Sequence, residues 1–270
     1  MTTEPTVRRD SGLHVSRHEG GPHRFVLVHG SMDREGGFAR LVKHLRPHGE
    51  VVTYDRQGYA RSLRAPGDRS LAAHMEDLRI VIGAVPSVVV GHSLGGSIAL
   101  GLAATRPELF RGLVVYESPM SWEPWWSTGG GGSLAAGAAT PEDAAEAFMR
   151  HMVGRERWDR LPRRTKDSRR AEGVALRAES ISLRLGPPWK RAHLDCPVMS
   201  GCGAESRNDF LRSARIVSEL SDDGRLVVMP GAHHNAHSSS PERFFERLVL
   251  PLIRRLETGS WEVPAARESD

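Results

Sequence analysis

Cysteine, lysine and long apolar runs are all scarce in this 270-residue chain, and each scarcity excludes a class of protein. The two cysteines, Cys196 and Cys202, make a poor disulfide framework, so we expect reduced thiols and a cytoplasmic location. No apolar run approaches the roughly 18 residues that a transmembrane helix needs. The polar segment MTTEPTVRRDSG lacks the apolar core of a secretory signal. We therefore expect no association with a membrane.

Lysine occurs only at positions 43, 166 and 190, so arginine supplies most of the positive charge behind the formal net charge of +4. Many of the arginines fall in one stretch, GRERWDRLPRRTKDSRRAEG. Basic stretches are typical of proteins that bind nucleic acids or other anionic partners. Here acidic residues are interspersed and no nucleic-acid-binding motif accompanies the run, which favours a solvated helical face. We expect no nucleic-acid binding.

Short apolar runs that end at turns alternate with helical patterns along most of the chain. The strand patterns lie at residues 24–30, 50–58, 87–93, 110–118, 195–203 and 224–231. The helical patterns include residues 37–49, 70–85 and 94–107, with Ser70 as a helix N-cap. Runs of β-branched residues separated by helices indicate a parallel sheet covered on both faces. With a hydrophobic content of 39%, a chain of this length can bury such a core as one unit.

The alternation of strands and helices stops between Pro119 and about His193. This segment contains a Trp-rich loop, SWEPWWSTGGGGS, and a helix start in which Thr140 is the expected cap and Pro141 the first helical residue. An insertion of this size between strands is usually a lid or a binding element. We therefore expect an α/β core formed by residues 1–118 and 194–270 and a helical cap at 119–193.

The stretch VVVGHSLGGSIALGLA places Ser93 between a predicted strand and a predicted helix. Its segment GHSLG matches Gly-x-Ser-x-Gly, which in this context is the pattern of a nucleophile elbow. Glycines allow the sharp turn that such an elbow requires. The serine hydroxyl would then lie at a helix N-terminus, where free N–H groups stabilise developing negative charge. We predict that Ser93 is a nucleophile.

A nucleophilic serine needs a base, and the segment VVMPGAHHNAHSSSPERF offers three histidines after the last predicted strand. Histidine suits this task because its ordinary pKa lies close to neutral pH. The loop also lies downstream of the serine, which fits the chain order serine, acid, histidine. We choose His234 as the base and keep His233 and His237 as alternatives.

The oxyanion that forms during acyl transfer needs two N–H donors. One is expected from the residue after the serine, Leu94, and the other from the loop after an earlier strand. The run FVLVHGSMD ends such a strand. We choose the amide of Ser31, with Met32 as the alternative donor and as a pocket residue.

The motifs VHGS, YDRQGYARS, GHSLGG and PGAHHNAHSSSPERF, in this order, resemble the α/β-hydrolase superfamily over residues 13–257. The resemblance implies an α/β fold with a mostly parallel eight-stranded sheet, a helical cap after the sixth strand, a Ser–acid–His triad, and no cofactor or metal. The segment DRQGYARS is similar to the family's Asp-x-x-Gly-x-Gly-x-Ser turn, with Ala60 in place of the second glycine. Asp55 in this turn is therefore expected to be structural.

The triad acid is the position at which the chain departs from the family's common pattern. Many members carry Gly-x-x-Asp after the seventh strand, whereas this chain has Ala204 at the aspartate position and Glu205 one residue later. The other carboxylate, Glu117, ends the sixth strand in GLVVYESP and resembles the acid position of some relatives. Either carboxylate can hold the imidazole tautomer and offset its charge. We favour Glu117, and Glu205 stays as the alternative.

Together these residues predict a serine hydrolase that cleaves a carboxylic ester, thioester or lactone through an acyl-enzyme. Trp122, Trp125 and Trp126 are expected to line an apolar acyl pocket or to pack the cap on the core. The alternatives are an acyltransferase or cyclase of a biosynthetic pathway with the same triad, and a ligand-binding receptor without turnover. The expected partner is a small acyl substrate, with an acyl carrier protein as a further candidate, and the chain is expected to be a monomer or homodimer.

Overall fold

We describe a computed structural model of the protein that covers residues 12–189 and 193–261. Its strands, numbered in chain order, are β1 (Val15–Val28), β2 (Gly49–Tyr54), β3 (Ser87–His92), β4 (Phe110–Tyr116), β5 (Val198–Gly203) and β6 (Gly224–Met229). They form one sheet in the order β2-β1-β3-β4-β5-β6, in which the neighbours from β1 to β6 pair in parallel. The α/β class and the mostly parallel sheet are confirmed, and every strand pattern of the sequence corresponds to a strand.

The helices, numbered in the same way, are α1 (Ala39–Leu45), α2 (Leu71–Ile82), α3 (Leu94–Thr105), α4 (Gly131–Gly137), α5 (Pro141–Val153), α6 (Arg155–Arg160), α7 (Arg163–Ala171), α8 (Gly173–Arg184), α9 (Asn208–Ser218), α10 (Ala236–Ser239), α11 (Pro241–Phe244) and α12 (Leu250–Thr258). A π-helical turn at Phe245–Val249 joins the last two, and short 3₁₀ turns lie at Glu35–Phe38, Ala60–Ser62 and Pro107–Leu109. Within the described residues, none of the helices combines the length and the apolar character needed to span a bilayer.

The described part of the chain has six strands, not the eight that the family resemblance implies. The register between β1 and β2 gives part of the reason. His18 pairs with Val51 in an antiparallel stretch, and Phe25, further along β1, pairs with the same Val51. The chain crosses the start of β2 at Gly20, where a Cβ would lie 2.1 Å from the carbonyl oxygen of Gly49. A strand inside a sheet has one neighbour on each side. Both neighbours of β2 belong to β1: residues 15–18 pair with it on one side and residues 24–27 on the other. The two segments count as one strand because the chain is continuous between them. Residues 1–11 lie outside the described residues.

Two helices begin at the caps that the sequence predicts. The Ser70 hydroxyl accepts a hydrogen bond from the Ala73 N–H at 3.2 Å before α2. The Thr140 hydroxyl accepts one from the Asp143 N–H at 3.1 Å before α5, and Pro141 is the first helical residue there. Such bonds satisfy N–H groups that have no partner inside the helix. Both predicted caps are confirmed.

The segment between β4 and β5, which we call the insertion (residues 119–193), holds α4 to α8 and no strand among its described residues. Its helices pack around Trp158, which is fully buried, and Leu176. Met32 and Tyr59, from the loops after β1 and β2, belong to the same apolar cluster. The insertion therefore shares part of its core with loops at the carboxyl edge of the sheet.

A buried ion pair joins the insertion to this edge. Arg56, in the loop after β2, donates from Nη1 to Glu179 Oε2 of α8 at 2.8 Å, and both side chains are fully buried. The Tyr59 hydroxyl donates to the other Glu179 oxygen at 2.6 Å. Burial alone would raise the pKa of Glu179, but the Arg56 charge and the hydrogen bonds outweigh it and lower this pKa to about 2. Both groups are therefore charged, and each depends on the other.

A second glutamate, Glu172 just before α8, fastens the insertion in the same way. Its Oε1 accepts hydrogen bonds from Arg34 Nη2 at 3.0 Å and from the Ala60 N–H at 3.1 Å. Arg169 donates to Glu172 Oε2 and to the Met32 carbonyl oxygen, both at 3.0 Å. The loops after β1 and β2 thus contact the insertion through charged groups as well as through apolar packing.

We expect Arg56→Met to lower the free energy of unfolding by about 3–5 kcal/mol, because it leaves the Glu179 carboxylate buried without its counter-ion. The double variant Arg56→Met/Glu179→Met should recover most of this loss, since neither charge remains. Denaturant unfolding of the single and double variants measures both changes. If the losses in the free energy of unfolding from the two single substitutions simply added in the double variant, this would contradict the coupling between Arg56 and Glu179.

Candidate active site

Ser93 lies where β3 ends and α3 begins, with a backbone φ of 52° and ψ of −125°. A positive φ is strained for a residue with a side chain, so surrounding contacts must hold it. The Ser93 N–H donates to the Tyr116 carbonyl oxygen at 2.8 Å, and the Ser93 carbonyl accepts from the Gly96 N–H at 2.8 Å. These bonds fix the turn and place the serine at the N-terminus of α3.

Close backbone contacts explain why the turn is rich in glycine. A Cβ on Gly95 would lie 2.1 Å from the carbonyl oxygen of Val28, which only a backbone shift could relieve. Opposite the turn, a Cβ on Gly30 would lie 2.9 Å from the Cβ of Ser93. The glycines therefore let the end of β1 and the start of α3 approach Ser93 from two sides.

His234 lies in the loop after β6, and its ring contacts the carboxylate of Glu117. The His234 Nδ1–H donates to Glu117 Oε2 at 2.6 Å. The Glu117 side chain is fully buried, whereas that of His234 is 20% exposed. A carboxylate in this position fixes the ring tautomer and leaves Nε2 as the free nitrogen. Within the described structure the Ser93 hydroxyl does not yet bond to this ring, and such bonds often tighten only when substrate binds.

Glu117 is held in place by its neighbours on β5. Its backbone φ is 51°, its N–H donates to the Gly201 carbonyl oxygen at 3.0 Å, and its Oε1 accepts from the Gly203 N–H at 2.7 Å. The alternative acid, Glu205, is exposed and forms no ion pair with His234 in the described structure. The fold therefore brings Glu117, and not Glu205, to the imidazole.

Two further rings support His234. Phe210 of α9 stacks on the imidazole, with centroids 4.8 Å apart and planes at 28°. The His92 Nε2–H donates to the His234 carbonyl oxygen at 2.9 Å. Burial, together with the neighbouring His237 and His234, holds the pKa of His92 well below its usual value, so this ring stays neutral. His92, the residue before Ser93, thus holds the loop of His234 through the main-chain carbonyl group of His234.

The two alternative histidines have other neighbours. His233 is exposed, and its carbonyl oxygen accepts from the Tyr116 hydroxyl at 3.0 Å. His237 is buried, with its Nε2 3.5 Å from Asp33 Oδ2. In the described structure neither side chain forms an ion pair with Glu117. The geometry therefore favours the histidine that the sequence analysis chose.

Asp33, His92 and His237 could offer donor atoms to a metal ion, because one such atom from each lies within 4.8 Å of the others. The rings of His92 and His237 have centroids 4.0 Å apart and planes tilted by 39°, and His92 Nε2 already bonds to the main chain. We therefore describe this group as packing behind His234, and the expectation of a metal-free site stays a prediction.

The loop after β1, next to Ser93 in space, is held by His29 and Arg56. Burial, reinforced by the Arg56 charge, lowers the pKa of His29 to about 3, so its ring is neutral. The His29 ring accepts from the Arg56 N–H at 2.9 Å and donates to the Gly30 carbonyl oxygen at 2.8 Å. The Arg56 guanidinium donates to the carbonyl oxygens of His29 and Gly30, both at 3.0 Å. These bonds orient the peptide units that lead to the amides of Ser31 and Met32.

A cavity of about 300 Å³ opens beside Ser93, between the strand ends and the insertion. Its lining includes several of the predicted site residues, namely Ser31, Ser93, Leu94, Trp126, Glu205 and His234. It also includes residues that the sequence analysis did not single out, among them Phe148, Glu179, Leu183, Arg184, Arg207 and Phe210. The wall is thus partly aromatic and partly charged, as in sites for small organic ligands.

The sequence contains only a weak signal for the cavity-lining residues that the sequence analysis did not single out. The spacing of Ala144, Ala145 and Phe148 indicates an inward face of α5, but the same spacing is typical of a packed core. Arg184 and Phe210 stand in helical patterns that carry no motif. Which of these side chains face a cavity depends on how the insertion docks, and this docking is not encoded by local spacing.

Three of the predicted pocket residues lie elsewhere, which corrects the predicted pocket. Trp122 and Trp125 line a second cavity, of about 680 Å³, where Trp122 packs edge-on against Trp189 with ring centroids 5.1 Å apart. Met32 is buried in the apolar cluster of the insertion. Neighbouring aromatic residues of one loop point to different faces, so only Trp126 of the three tryptophans borders the cavity of Ser93.

Comparisons with known proteins agree on one family. A family model described as "Alpha/beta hydrolase family" matches residues 25–247. The sn-1-specific diacylglycerol lipase ABHD11 of Mus musculus is 31% identical over 247 residues, which cover 83% of this chain and 79% of the lipase. A pimeloyl-[acyl-carrier protein] methyl ester esterase of Xylella fastidiosa is 38% identical over 90 residues, which cover 33% of this chain and 34% of the esterase.

Other bacterial relatives, with 36% identity, also match this chain over less than half of their own length. Among solved structures, the N-acyl homoserine lactonase AidH is similar with a TM-score of 0.71 and 21% identity, covering 93% of this chain and 95% of the lactonase. A thermophilic esterase from Thermogutta terrifontis is similar with a TM-score of 0.70 and 18% identity, covering 90% of this chain and 94% of the esterase. At these identities the likeness concerns the fold.

Proposed function

The chain belongs to the alpha/beta hydrolase family and is an enzyme of that type, and we propose that it is a serine hydrolase that cleaves carboxylic esters, thioesters or lactones. The observation that carries this proposal is the 2.6 Å contact between His234 Nδ1 and the buried Glu117 carboxylate, beside a serine with elbow geometry. The hydrolase names of the relatives support the reaction class, and the geometry supports the assignment of the three residues.

In the proposed mechanism the Ser93 hydroxyl attacks the acyl carbonyl carbon while His234 Nε2 takes the hydroxyl proton. The Glu117 carboxylate stabilises the imidazolium that forms and keeps the ring in its tautomer. His234 then gives the proton to the leaving alcohol, thiol or lactone oxygen, and the acyl group remains on Ser93. Water, activated by the same histidine, releases the carboxylic acid and restores the serine.

Two backbone amides would stabilise the oxyanion. The Leu94 N–H is the first of α3, so it has no acceptor inside the helix and can face developing charge. The second donor is the amide of Ser31, with Met32 as the alternative. The bonds from Arg56 and His29 to this loop support either choice, because a preorganised donor needs a fixed backbone.

We propose that the insertion (119–193) acts as a cap over a core formed by residues 1–118 and 194–270. Its helices supply Phe148, Leu183 and Arg184 to the wall of the cavity beside Ser93. A wall of this kind excludes water from the acyl-enzyme and selects the substrate. The buried glutamates Glu172 and Glu179 would keep the cap in register with the catalytic loops.

A small acyl ester matches the size of the cavity, whereas the charge pairing within the insertion argues against an acyl carrier protein as the partner. The basic helices of the insertion pair much of their charge internally. Arg170 contacts Glu146 at 2.6 Å, and Arg163 lies 3.6 Å from Asp167. Such pairing reduces the net positive field that an acidic carrier would meet.

We expect a fluorophosphonate probe to label the folded wild-type protein at Ser93, because His234 activates this hydroxyl and the cavity admits the probe. Ser93→Ala should abolish labelling, while Ser121→Ala, which removes another hydroxyl of the cavity wall, should keep it. Mass spectrometry of the labelled peptide identifies the site. A folded wild-type protein that stays unlabelled would contradict the proposal and favour a receptor without turnover.

We expect Glu117→Gln to lower kcat for a short-chain p-nitrophenyl ester by about 10³–10⁴-fold, because an amide offers the ring the wrong tautomer. The Gln oxygen can still accept from the Gly203 N–H, so the variant should fold. Glu205→Gln tests the alternative acid: because Glu205 borders the cavity, the substitution can change KM, but kcat should change by less than about threefold. A large loss in the Glu205 variant alone would transfer the role of the acid to Glu205.

A further inference from the structure

Arg184, the last residue of α8, lies in the wall of the cavity that also contains Ser93. Its Nη1 donates to the carbonyl oxygens of Gly132 at 3.0 Å and Ser180 at 3.2 Å, and its Nη2 donates to the Ser133 hydroxyl at 2.6 Å. All three partners also line the cavity. The guanidinium is therefore fixed at the wall by neutral groups.

The positive charge of Arg184 has no acidic partner in the part of the chain that the structure describes. Burial lowers its pKa, and no neighbouring carboxylate offsets this effect. The contrast with Arg56 is direct, because Glu179 compensates that buried guanidinium and its pKa is raised. An arginine remains charged in proteins, so the wall carries an uncompensated cation.

Part of the Arg184 guanidinium is still available for a ligand. A guanidinium has five N–H donors, and the three bonds to the wall occupy both protons of Nη1 and one of Nη2. The remaining N–H groups are on Nε and Nη2, two nitrogen atoms bonded to the same carbon of the planar group. Nε and Nη2 of an arginine can together bind the two oxygens of a carboxylate in a bidentate contact.

The other charged groups of the cavity wall are better neutralised or more exposed. Glu179 is paired with Arg56, and Arg207 is paired with Asp209 at 3.0 Å. Glu205 is exposed. Arg184 is thus a partly buried cation of this wall that has no acidic partner among the described residues, and an anionic ligand in the cavity would neutralise it.

We propose that Arg184 forms an anion subsite, so that the enzyme acts on esters that carry a carboxylate away from the bond that is cleaved. The inference rests on the proposed function, because it assigns a charged group to the ester that Ser93 would attack. The carboxylate belongs either to the acyl part or to the alcohol part, and both placements use the same bidentate contact.

Two pairs of esters test the subsite and distinguish these placements. For the acyl side, mono-p-nitrophenyl glutarate is compared with p-nitrophenyl hexanoate, which has similar length and no charge. For the alcohol side, 4-(butyryloxy)butanoate is compared with pentyl butyrate. The wild type should show a higher kcat/KM for the charged member of at least one pair. A preference for the neutral ester in both pairs would overturn the proposal without any variant.

Arg184→Met should reduce the ratio of kcat/KM for the charged ester to that for its neutral partner by about tenfold or more, because a charge-assisted bidentate contact is lost. Arg184→Lys, which keeps the charge but loses the fork, should restore part of this ratio. Arg160→Met, at an exposed arginine of the same insertion, is the matched control and should leave the ratio unchanged.

Two outcomes separate failure of the subsite from failure of the proposed function. Equal loss for charged and neutral esters in Arg184→Met would show that the arginine only anchors the loop of Gly132, which overturns the subsite. Absence of hydrolysis of all four esters by a folded wild-type protein that a fluorophosphonate does not label would overturn the proposed function and the subsite with it.

Discussion

One buried carboxylate ties together the ends of three neighbouring strands. Glu117 directly follows β4, its Oε1 accepts from the Gly203 N–H at the end of β5, and its Oε2 accepts from His234 in the loop after β6. Because parallel strands end at the same edge, these groups meet without a long excursion of the chain. The position of the imidazole, and thus of any base beside Ser93, depends on this side chain together with the stacked Phe210 ring and the His92 bond to the loop.

Backbone strain is concentrated around the same point. Met32, Ser93 and Glu117 are three of the five described non-glycine residues with a positive φ, and they lie on three adjacent segments. Strained residues persist only where their surroundings fix them more than once. Here the surroundings include the bonds of Arg56 to the loop after β1 and the ion pair of Arg56 with Glu179. Removal of the insertion would take away Glu179, the partner of Arg56, and would therefore disturb the strained loop after β1 that Arg56 holds.

Much of the sheet and the elbow could be predicted because their signals are local. A β-branched run before GHSLGG specifies a strand, a turn and a helix within a few residues. Glu117 could be predicted in the same way, because it comes directly after another β-branched run. The lining of the cavity could not be predicted, because it depends on how helices of the insertion dock. Trp122 and Trp126 are close in sequence yet border different cavities. The described residues show six strands rather than eight, in part because β1 continues across the start of β2.

The placement of the proposed acid directly after β4 has a consequence for the neighbouring segment after β5. In the proposed site the segment after β5 carries no member of the triad, although many relatives place an aspartate there. Its residues Glu205, Ser206 and Arg207 instead border the cavity. Changes in this segment alter the charge and shape that a substrate meets, while the bond between Glu117 and His234 stays intact. In the proposed site, the shape of this part of the cavity and the orientation of the imidazole therefore depend on different segments of the chain.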